Sequence, residues 1–137
     1  MSAIRQALCS WSGGKDSCLA LHLATEQGFT VTTLIAMFEE AADRSRSHAL
    51  PESLVRAQAQ SLGVELLTPR ADWARYEAVF VETLVHAHGR GIEHATFVTH
   101  APKFQWPIPA FVSGLRSYTG PAEYGGEQFW FADLANA

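Results

Sequence analysis

The sequence predicts an α/β fold, in which helices cover both faces of a mainly parallel β-sheet. Apolar, β-branched stretches with the length of buried strands alternate with helix-type segments up to Thr99. Glycines follow the helical segments, as expected at helix ends. Hydrophobic residues make up 47% of the 137 residues, which is enough for a core. Such alternation implies right-handed crossovers and hence a Rossmann-like sheet.

Each element has a local signal. Buried-type stretches predict strands over residues 3–11, 29–38, 64–67 and 92–99. Apolar positions at helical spacing predict helices over residues 17–27, 51–61 and 72–88. Pro51 suits the first turn of the second helix, and Asp72 is a candidate cap for the third. Gly28, Gly63, and Gly89 together with Gly91 are predicted helix stops.

The chain changes character after Thr99. Four of its six prolines lie in residues 100–137, together with many glycines and aromatic residues. Short strands are candidates at residues 111–115 and 128–131, within an otherwise irregular C-terminal segment. We therefore predict an α/β domain over residues 1–99, and a divergent segment over residues 100–137 that packs on the same domain.

Charge and hydropathy exclude several classes of protein. The net charge of −4 argues against a nucleic-acid partner, because nucleic-acid-binding domains are usually basic. The sequence has no apolar stretch of about 18 residues, the length that spans a membrane. It also has no signal-peptide pattern near Met1. We expect a cytoplasmic protein with no membrane partner.

The motif SGGKDS, residues 12–17, lies between the first strand and the first helix. A glycine-rich turn into a helix presents backbone N–H groups and a partial positive charge to an anion. Hydroxyl and ammonium groups in the same turn add donors suited to phosphate. The aspartate is suited to Mg²⁺, which would bridge phosphate oxygens. The motif is not a Walker A loop, because aspartate follows Gly-Lys where that loop has Ser or Thr.

SGGKDS resembles the PP-loop signature of the N-type ATP pyrophosphatases. The longer run of CSWSGGKDSCLAL, then MFEE, then RSRSHALPESLVRAQAQSLGVEL is similar to the diphthine–ammonia ligase family, also called diphthamide synthetase or adenine nucleotide alpha hydrolase-like. The resemblance covers roughly residues 4–97. It implies an ATP-dependent carbon–nitrogen ligase that adenylates a carboxylate, releases pyrophosphate, and lets ammonia or an amine displace AMP. The implied cofactors are ATP and Mg²⁺, and the acceptor is a carboxylate that a protein could carry.

The resemblance also assigns roles to residues. It implies that five residues of the motif bind the β- and γ-phosphates: Ser12, Gly13, Gly14, Lys15 and Ser17. It also implies that Ser10, just before the motif, borders the nucleotide. It implies that backbone groups at the end of the second strand receive the adenine: Ala36, Met37 and Phe38. A second block lies near nucleotide and substrate: Arg46, Ser47 and His48. Catalytic roles are implied for Lys15, Asp16 and His48, and Asp16 is also the implied metal ligand.

Several residues have a second interpretation without a functional role. His48 is an acid–base group or a phosphate partner, or else a loop histidine. Arg44 and Arg46 are anion clamps or solvated charges. Glu39 and Glu40 are ribose or metal ligands or, as the better interpretation, exposed loop carboxylates. Trp73 and Tyr76 are expected in the core of a helix rather than in a stacking platform.

The part beyond residue 97 departs from the family pattern. Three explanations of this departure are open. The end of the chain is altered, or the protein is a short variant with its own lid or assembly surface, or the segment is a distant version of the family's second half. The rival function is therefore a nucleotide-binding module without turnover, which would regulate a partner or stabilise a homo-oligomer. A relative that thiolates tRNA is a weaker alternative, because the chain is acidic.

Overall fold

The computed structural model describes residues 5–45, 49–100, 112–119 and 127–134. These residues form six strands and three helices, which follow the chain in this order: β1 Gln6–Ser10, α1 Lys15–Glu26, β2 Thr30–Ile35, α2 Glu52–Leu62, β3 Glu65–Leu67, α3 Tyr76–Gly89, β4 His94–His100, β5 Val112–Thr119 and β6 Glu127–Leu134. All four predicted strands and all three predicted helices are present, with ends shifted by a few residues.

One sheet contains all six strands in the order β3-β2-β1-β4-β6-β5. The strands β1 to β4 are mutually parallel, whereas β6 runs antiparallel to both β4 and β5. The predicted α/β, Rossmann-like class is therefore confirmed.

The C-terminal strands are longer and more regular than predicted. Residues 112–119 and 127–134 form two strands of eight residues each, so the segment is not simply irregular. Strand β6 pairs with β4 from His94↔Asp133 to His100↔Glu127. Without β6, the edge of β4 would expose unpaired N–H and C=O groups, and the β-forming residues FWF of β6 suit this position. Edge pairing therefore outweighs the turn-forming composition around it.

The helices cover both faces of the sheet, as predicted. Side chains of β1 alternate, so that Ala7 and Cys9 face one apolar cluster and Leu8 faces the other. Helices α1 and α2 contribute to the first cluster, and α3 contributes to the second with Phe80, Leu84 and Ala87. Strand β1 is thus buried on both sides, as is typical of central parallel strands.

Helix ends explain the shifted boundaries. Gly28 and Gly63 follow α1 and α2 with φ of 93° and 71°, which confirms both as helix stops. Pro51 is the N-cap of α2 rather than a first-turn residue, and Asp43 accepts the first-turn N–H of the helix at 2.9 Å. Asp72 accepts the N–H of Arg75 at 2.9 Å, and this turn delays the start of α3.

The α3 face gives a direct test of the second core cluster. Leu84 is fully buried beneath α3, whereas its neighbour Val85 is 37% exposed. We expect Leu84→Ala to lower the free energy of unfolding by about 2–5 kcal/mol through lost burial and a cavity. Val85→Ala should lower it by less than about 1 kcal/mol. Urea denaturation of both variants checks this, and equal losses would contradict the two-faced core.

Candidate functional site

The candidate site lies at the carboxyl edge of the parallel strands. The segments that follow β1, β2 and β3 all leave the sheet at this edge, because the three strands are parallel neighbours. Ligands of open α/β sheets bind at this edge. The PP-loop, residues 12–17, follows β1 and runs into α1. The second loop, residues 36–51, joins β2 to α2.

Hydrogen bonds within the PP-loop form a closed circuit. The N–H of Gly14 donates to Ser12 Oγ at 3.2 Å, and Ser12 Oγ donates to Ser17 Oγ at 3.1 Å. Ser17 Oγ in turn donates to the carbonyl of Gly14 at 3.2 Å. Ser17 is fully buried, so in this arrangement its hydroxyl stabilises the loop from the protein interior. Ser12 and Gly14 are the members of the circuit nearer to solvent.

The PP-loop ends at the N-terminus of α1, which is suited to bind an anion. Gly14 is the N-cap of α1, and none of the described side chains caps this helix through a hydrogen bond. First-turn N–H groups and the helix dipole at such an end favour an anion. Lys15 is 87% exposed, and its Nζ lies 2.9 Å from Asp16 Oδ1. A cation and a carboxylate therefore lie together at the mouth of the loop.

Gly13 lies where the PP-loop has no room for a side chain. Its φ is +85°, a conformation that L side chains rarely adopt. A Cβ at this position would lie 2.6 Å from Leu50 Cδ1 and 3.1 Å from Gln58 Oε1. The loop, the second loop and α2 thus meet at a residue that has no side chain.

The backbone N–H groups of the residues that follow β2 point alternately toward β3 and toward β1. Ala36 and Phe38 donate their N–H groups toward β3, to the carbonyls of Leu67 and Pro69 at 3.0 and 2.9 Å. Since alternate residues of an extended chain face opposite edges, the N–H and C=O of Met37 face β1. The amide of Met37 forms no hydrogen bond within the described parts of the chain. Of the three predicted adenine contacts, Met37 therefore presents its backbone toward the PP-loop side.

The predicted residues Arg46, Ser47 and His48 lie outside the described residues. The chain on either side of them is well fixed. Ser45 and Leu50 exchange two hydrogen bonds, from Ser45 N–H to the Leu50 carbonyl at 2.8 Å and from Leu50 N–H to Ser45 Oγ at 3.0 Å. The Leu50 side chain is also the neighbour of Gly13, so this part of the second loop is anchored beside the PP-loop. Ser10, the remaining predicted site residue, is the last residue of β1.

Sequence reasoning missed Gln58, which joins α2 to the PP-loop. Its Oε1 accepts from Trp11 Nε1 at 2.9 Å, and its Nε2 donates to the carbonyl of Gly13 at 3.3 Å. Trp11 belongs to the motif that opens the candidate site, but nothing in the sequence separates Gln58 from Gln60 on the same helix. Only the tertiary contact identifies it.

Sequence reasoning also missed Arg70, which holds the second loop. Its Nη1 donates to the carbonyls of Glu39 and Ala42, both at 3.3 Å, and its Nη2 lies 2.7 Å from Glu52 Oε1. Its guanidinium carbon lies 5.1 Å from the ring centre of Phe38. A signal was present in the sequence, since a polar residue that closely follows a parallel strand lies at the ligand-binding edge.

Of the residues with two interpretations, Arg44, Glu39, Trp73 and Tyr76 differ in their surroundings. Arg44 forms two hydrogen bonds to one oxygen of Glu39, at 2.8 and 3.2 Å, in an exposed pair. This geometry agrees with solvated loop charges for both residues. The expectation of a core position is wrong for Trp73, which is 69% exposed because it lies in the turn before α3. Tyr76 packs partly against the α3 core cluster, with its ring 5.3 Å from that of Trp73.

Metal and thiol chemistry are limited by the side chains around the loop. In residues 5–45, 49–100, 112–119 and 127–134, no three His, Cys, Asp or Glu side chains gather as a metal cluster. Asp16 is therefore the carboxylate candidate at the loop, which fits Mg²⁺ when phosphates and waters complete the coordination shell of the ion.

Burial, with a smaller contribution from Cys18, raises the pKa of the Cys9 thiol to about 12. Cys9 is thus a neutral core residue at neutral pH.

A family model described as the diphthamide synthase N-terminal domain matches residues 5–93 of this chain. The matched stretch contains the PP-loop, the second loop, and every element from β1 to α3. No individual curated protein gives a significant match to the chain. Strands β4 to β6 lie after the matched stretch.

Gly13 offers a test of the close approach. Gly63 also has positive φ, at +71°, but no atom lies within 4 Å of a Cβ built there. We expect Gly63→Ala to cost about 1–2 kcal/mol through backbone strain alone. Gly13→Ala should cost about 2–4 kcal/mol, because Leu50 and Gln58 must also move. Denaturant titration measures both losses, and equal values would show that the crowding at Gly13 is unimportant.

Glu52 offers a test by pH. The Arg56 guanidinium, and after it that of Arg70, holds the pKa of Glu52 below its usual value. A lowered pKa in the folded state stabilises the protein above the unfolded-state pKa, and this stabilisation disappears as the pH falls through the folded-state pKa. Glu52→Gln should therefore be less stable than wild type at pH 7, with the difference shrinking once the pH falls below about 4.3, the usual pKa of glutamate, and vanishing below the still lower folded-state pKa. The exposed Glu40→Gln is the control, and a difference that persists in acid would contradict the assignment.

Proposed function

This chain belongs to the diphthamide synthase N-terminal domain family, and from that membership we propose that it is an ATP-dependent amide ligase. It binds ATP with Mg²⁺ at the PP-loop and transfers AMP to a carboxylate acceptor. Ammonia or an amine then displaces AMP, which yields an amide. The membership itself confirms the resemblance that the sequence motifs indicate.

One observation carries the proposal. The PP-loop is a braced turn that ends at the N-terminus of α1, with Gly14 as N-cap and Lys15 and Asp16 in the first turn. Backbone donors, a cation and a carboxylate at one helix end are the groups that a nucleotide phosphate chain with its Mg²⁺ requires. The hydrogen-bond circuit fixes the loop in advance, so little reorganisation accompanies binding.

In the first step, an acceptor carboxylate oxygen attacks the α-phosphorus of ATP. The bond from the α-phosphorus to the oxygen that bridges it to the β-phosphorus breaks, and pyrophosphate leaves with that electron pair. The negative charge on pyrophosphate increases in the transition state. Lys15 and the N–H groups at the start of α1 stabilise that charge, because they lie where the β- and γ-phosphates would bind.

Asp16 would hold Mg²⁺, with phosphate oxygens and waters as the other ligands. Such an ion supplies charge neutralisation on the phosphates. Asp16 lies 2.9 Å from Lys15 Nζ, so its carboxylate also orients the lysine at the mouth of the loop. The adenine would contact the backbone of Met37, which faces the PP-loop side of β2.

In the second step, the nitrogen of ammonia or an amine attacks the acyl carbon, and AMP leaves with the electrons of the acyl–oxygen bond. The nitrogen must lose a proton when the amide forms. His48 is our candidate for the base that accepts it, since an imidazole titrates near neutral pH. Arg46 and Ser47 are proposed neighbours of the nucleotide. Their support is the anchoring of Ser45 and Leu50 beside the PP-loop.

The proposal extends to partners and location. The acceptor class is a carboxylate, which a protein could carry, and nucleic acid is not proposed as a partner because the chain is acidic. Within the described ranges, no helix is long and apolar enough to cross a membrane. We propose a cytoplasmic location, where ATP is available.

A second function remains in competition for one specific reason. The matched stretch ends at residue 93, so β4, β5 and β6 lie outside the family model. Any groups that bind the acceptor besides Arg46, Ser47 and His48 would then come from a part of the chain without such support. The competing proposal is a nucleotide-binding module without turnover, in which bound ATP or AMP regulates a partner or a homo-oligomer.

Calorimetric titration with ATP and Mg²⁺, with pyrophosphate release assayed on the same samples, tests the proposal. We expect wild type to bind ATP and Asp16→Asn to bind it at least about tenfold more weakly, the loss of one strong ionic contact. Glu40→Gln removes the same charge from the second loop and should bind as wild type does.

The pyrophosphate assay separates the two functions. Release that depends on an added carboxylate and an ammonium salt supports the ligase. Binding without release under any of these conditions favours the module instead. If wild type does not bind ATP, both proposals are wrong.

A further inference from the structure

We propose that Gln58 is a positioning residue for the PP-loop: it holds the carbonyl of Gly13 away from the anion and thereby keeps the Gly14 N–H on Ser12 Oγ. This inference rests on the proposed function, since it names the group that prepares the same site. Gln58 does not touch the nucleotide in this proposal. It acts from α2, through the backbone of the loop.

The geometry of one peptide group supports the inference. Gln58 Nε2 donates to the carbonyl oxygen of Gly13 at 3.3 Å. The N–H of the same peptide unit belongs to Gly14 and points to Ser12 Oγ. In a planar trans peptide, the C=O and N–H bonds point in opposite directions. A hydrogen bond that fixes the carbonyl of Gly13 therefore also fixes the direction of the Gly14 amide, at the N-cap of α1.

A peptide between two glycines needs such a restraint. Glycine populates positive and negative φ almost equally, so the Gly13–Gly14 peptide can flip at little steric cost. In the flipped orientation the Gly13 carbonyl oxygen would point toward Ser12 Oγ, where it would break the hydrogen bond from Gly14 and repel a bound phosphate. Such a flip would change ψ of Gly13 and φ of Gly14, which is −100° here, and the contact from Gln58 to the Gly13 carbonyl restrains both from the α2 side.

Gln58 is itself held in place at both ends of its amide. Its Oε1 accepts from Trp11 Nε1 at 2.9 Å, which fixes which end of the side chain faces Gly13. Its helix is anchored in the first core cluster by the buried residues Val55 and Ala59. Trp11 is buried as well, so the restraint extends from the core to the loop. The position of the Gly13 carbonyl is therefore tied to the packing of α2.

The test compares Gln58→Met with Gln60→Met. Methionine keeps the length of the side chain but has no N–H donor, and Gln60 is an exposed residue on the same helix. We expect Gln58→Met to weaken ATP binding about tenfold, the effect of one hydrogen bond. AMP lacks the β- and γ-phosphates, so its dissociation constant should change less than about twofold. Gln60→Met should leave both constants unchanged.

Hydrogen–deuterium exchange of residues 12–18 in the absence of nucleotide provides a second measurement on the same samples. We expect faster exchange in Gln58→Met than in wild type, and no change in Gln60→Met. A loss of affinity that is equal for ATP and AMP would overturn the inference, because it would indicate a general structural role. Unchanged ATP affinity in Gln58→Met would overturn it too.

Failure of the proposed function is recognisable separately. If wild type does not bind ATP, the proposed function is wrong, and the role of Gln58 in positioning the loop for the anion is wrong with it, even if exchange in the loop is faster. If wild type binds ATP and Gln58→Met binds it equally well, only the inference about Gln58 is wrong.

Discussion

Strand β1 is paired with a parallel strand on each side and buried on both faces, and the position of the candidate site follows from this arrangement. Pairing with β2 and β4 fixes the direction of β1, while the apolar clusters on the two faces of the sheet keep its side chains buried. The chain that leaves the end of β1 must therefore emerge at the carboxyl edge, between two neighbouring strands. Helix α1 then starts at a defined point, with its N-terminus at that edge.

A lack of side chain at Gly13 lets three parts of the molecule meet. The PP-loop, the second loop through Leu50, and α2 through Gln58 all contact this residue. A side chain here would push them apart, whereas the bare backbone allows hydrogen bonding to the carbonyl. In our proposal the same contact that packs the site also orients the PP-loop, which would couple stability to nucleotide binding at this residue.

Charged groups at the rim act mainly on the second loop. Arg70 connects two carbonyls of that loop to Glu52 at the start of α2, and Arg56 reinforces the pair. Exposed ion pairs contribute little stability singly, but this one is part of a network that also uses backbone acceptors. The network ties the second loop to the start of α2 and contributes the pH-dependent stability expected for Glu52.

The sequence alone determined the features that depend on neighbouring residues. Alternating apolar stretches and terminal glycines predict the α/β order, because strand and helix periodicities are local properties. The motif over residues 12–17 likewise predicts an anion-binding turn, since its donors come from consecutive residues. Shifted helix starts, as at Tyr76, reflect turn hydrogen bonds that periodicity does not report.

Only the tertiary structure decided which distant residues complete the site and the sheet. Gln58 contacts Gly13 across 45 positions and Arg70 contacts Glu39 across 31, and neither pairing has a periodic signal. The antiparallel insertion of β6 beside β4 likewise depends on an open edge that exists only in the assembled sheet. Local composition predicts only a short strand at residues 128–131 within an irregular segment, and pairing with the open edge of β4 accounts for the longer strand β6.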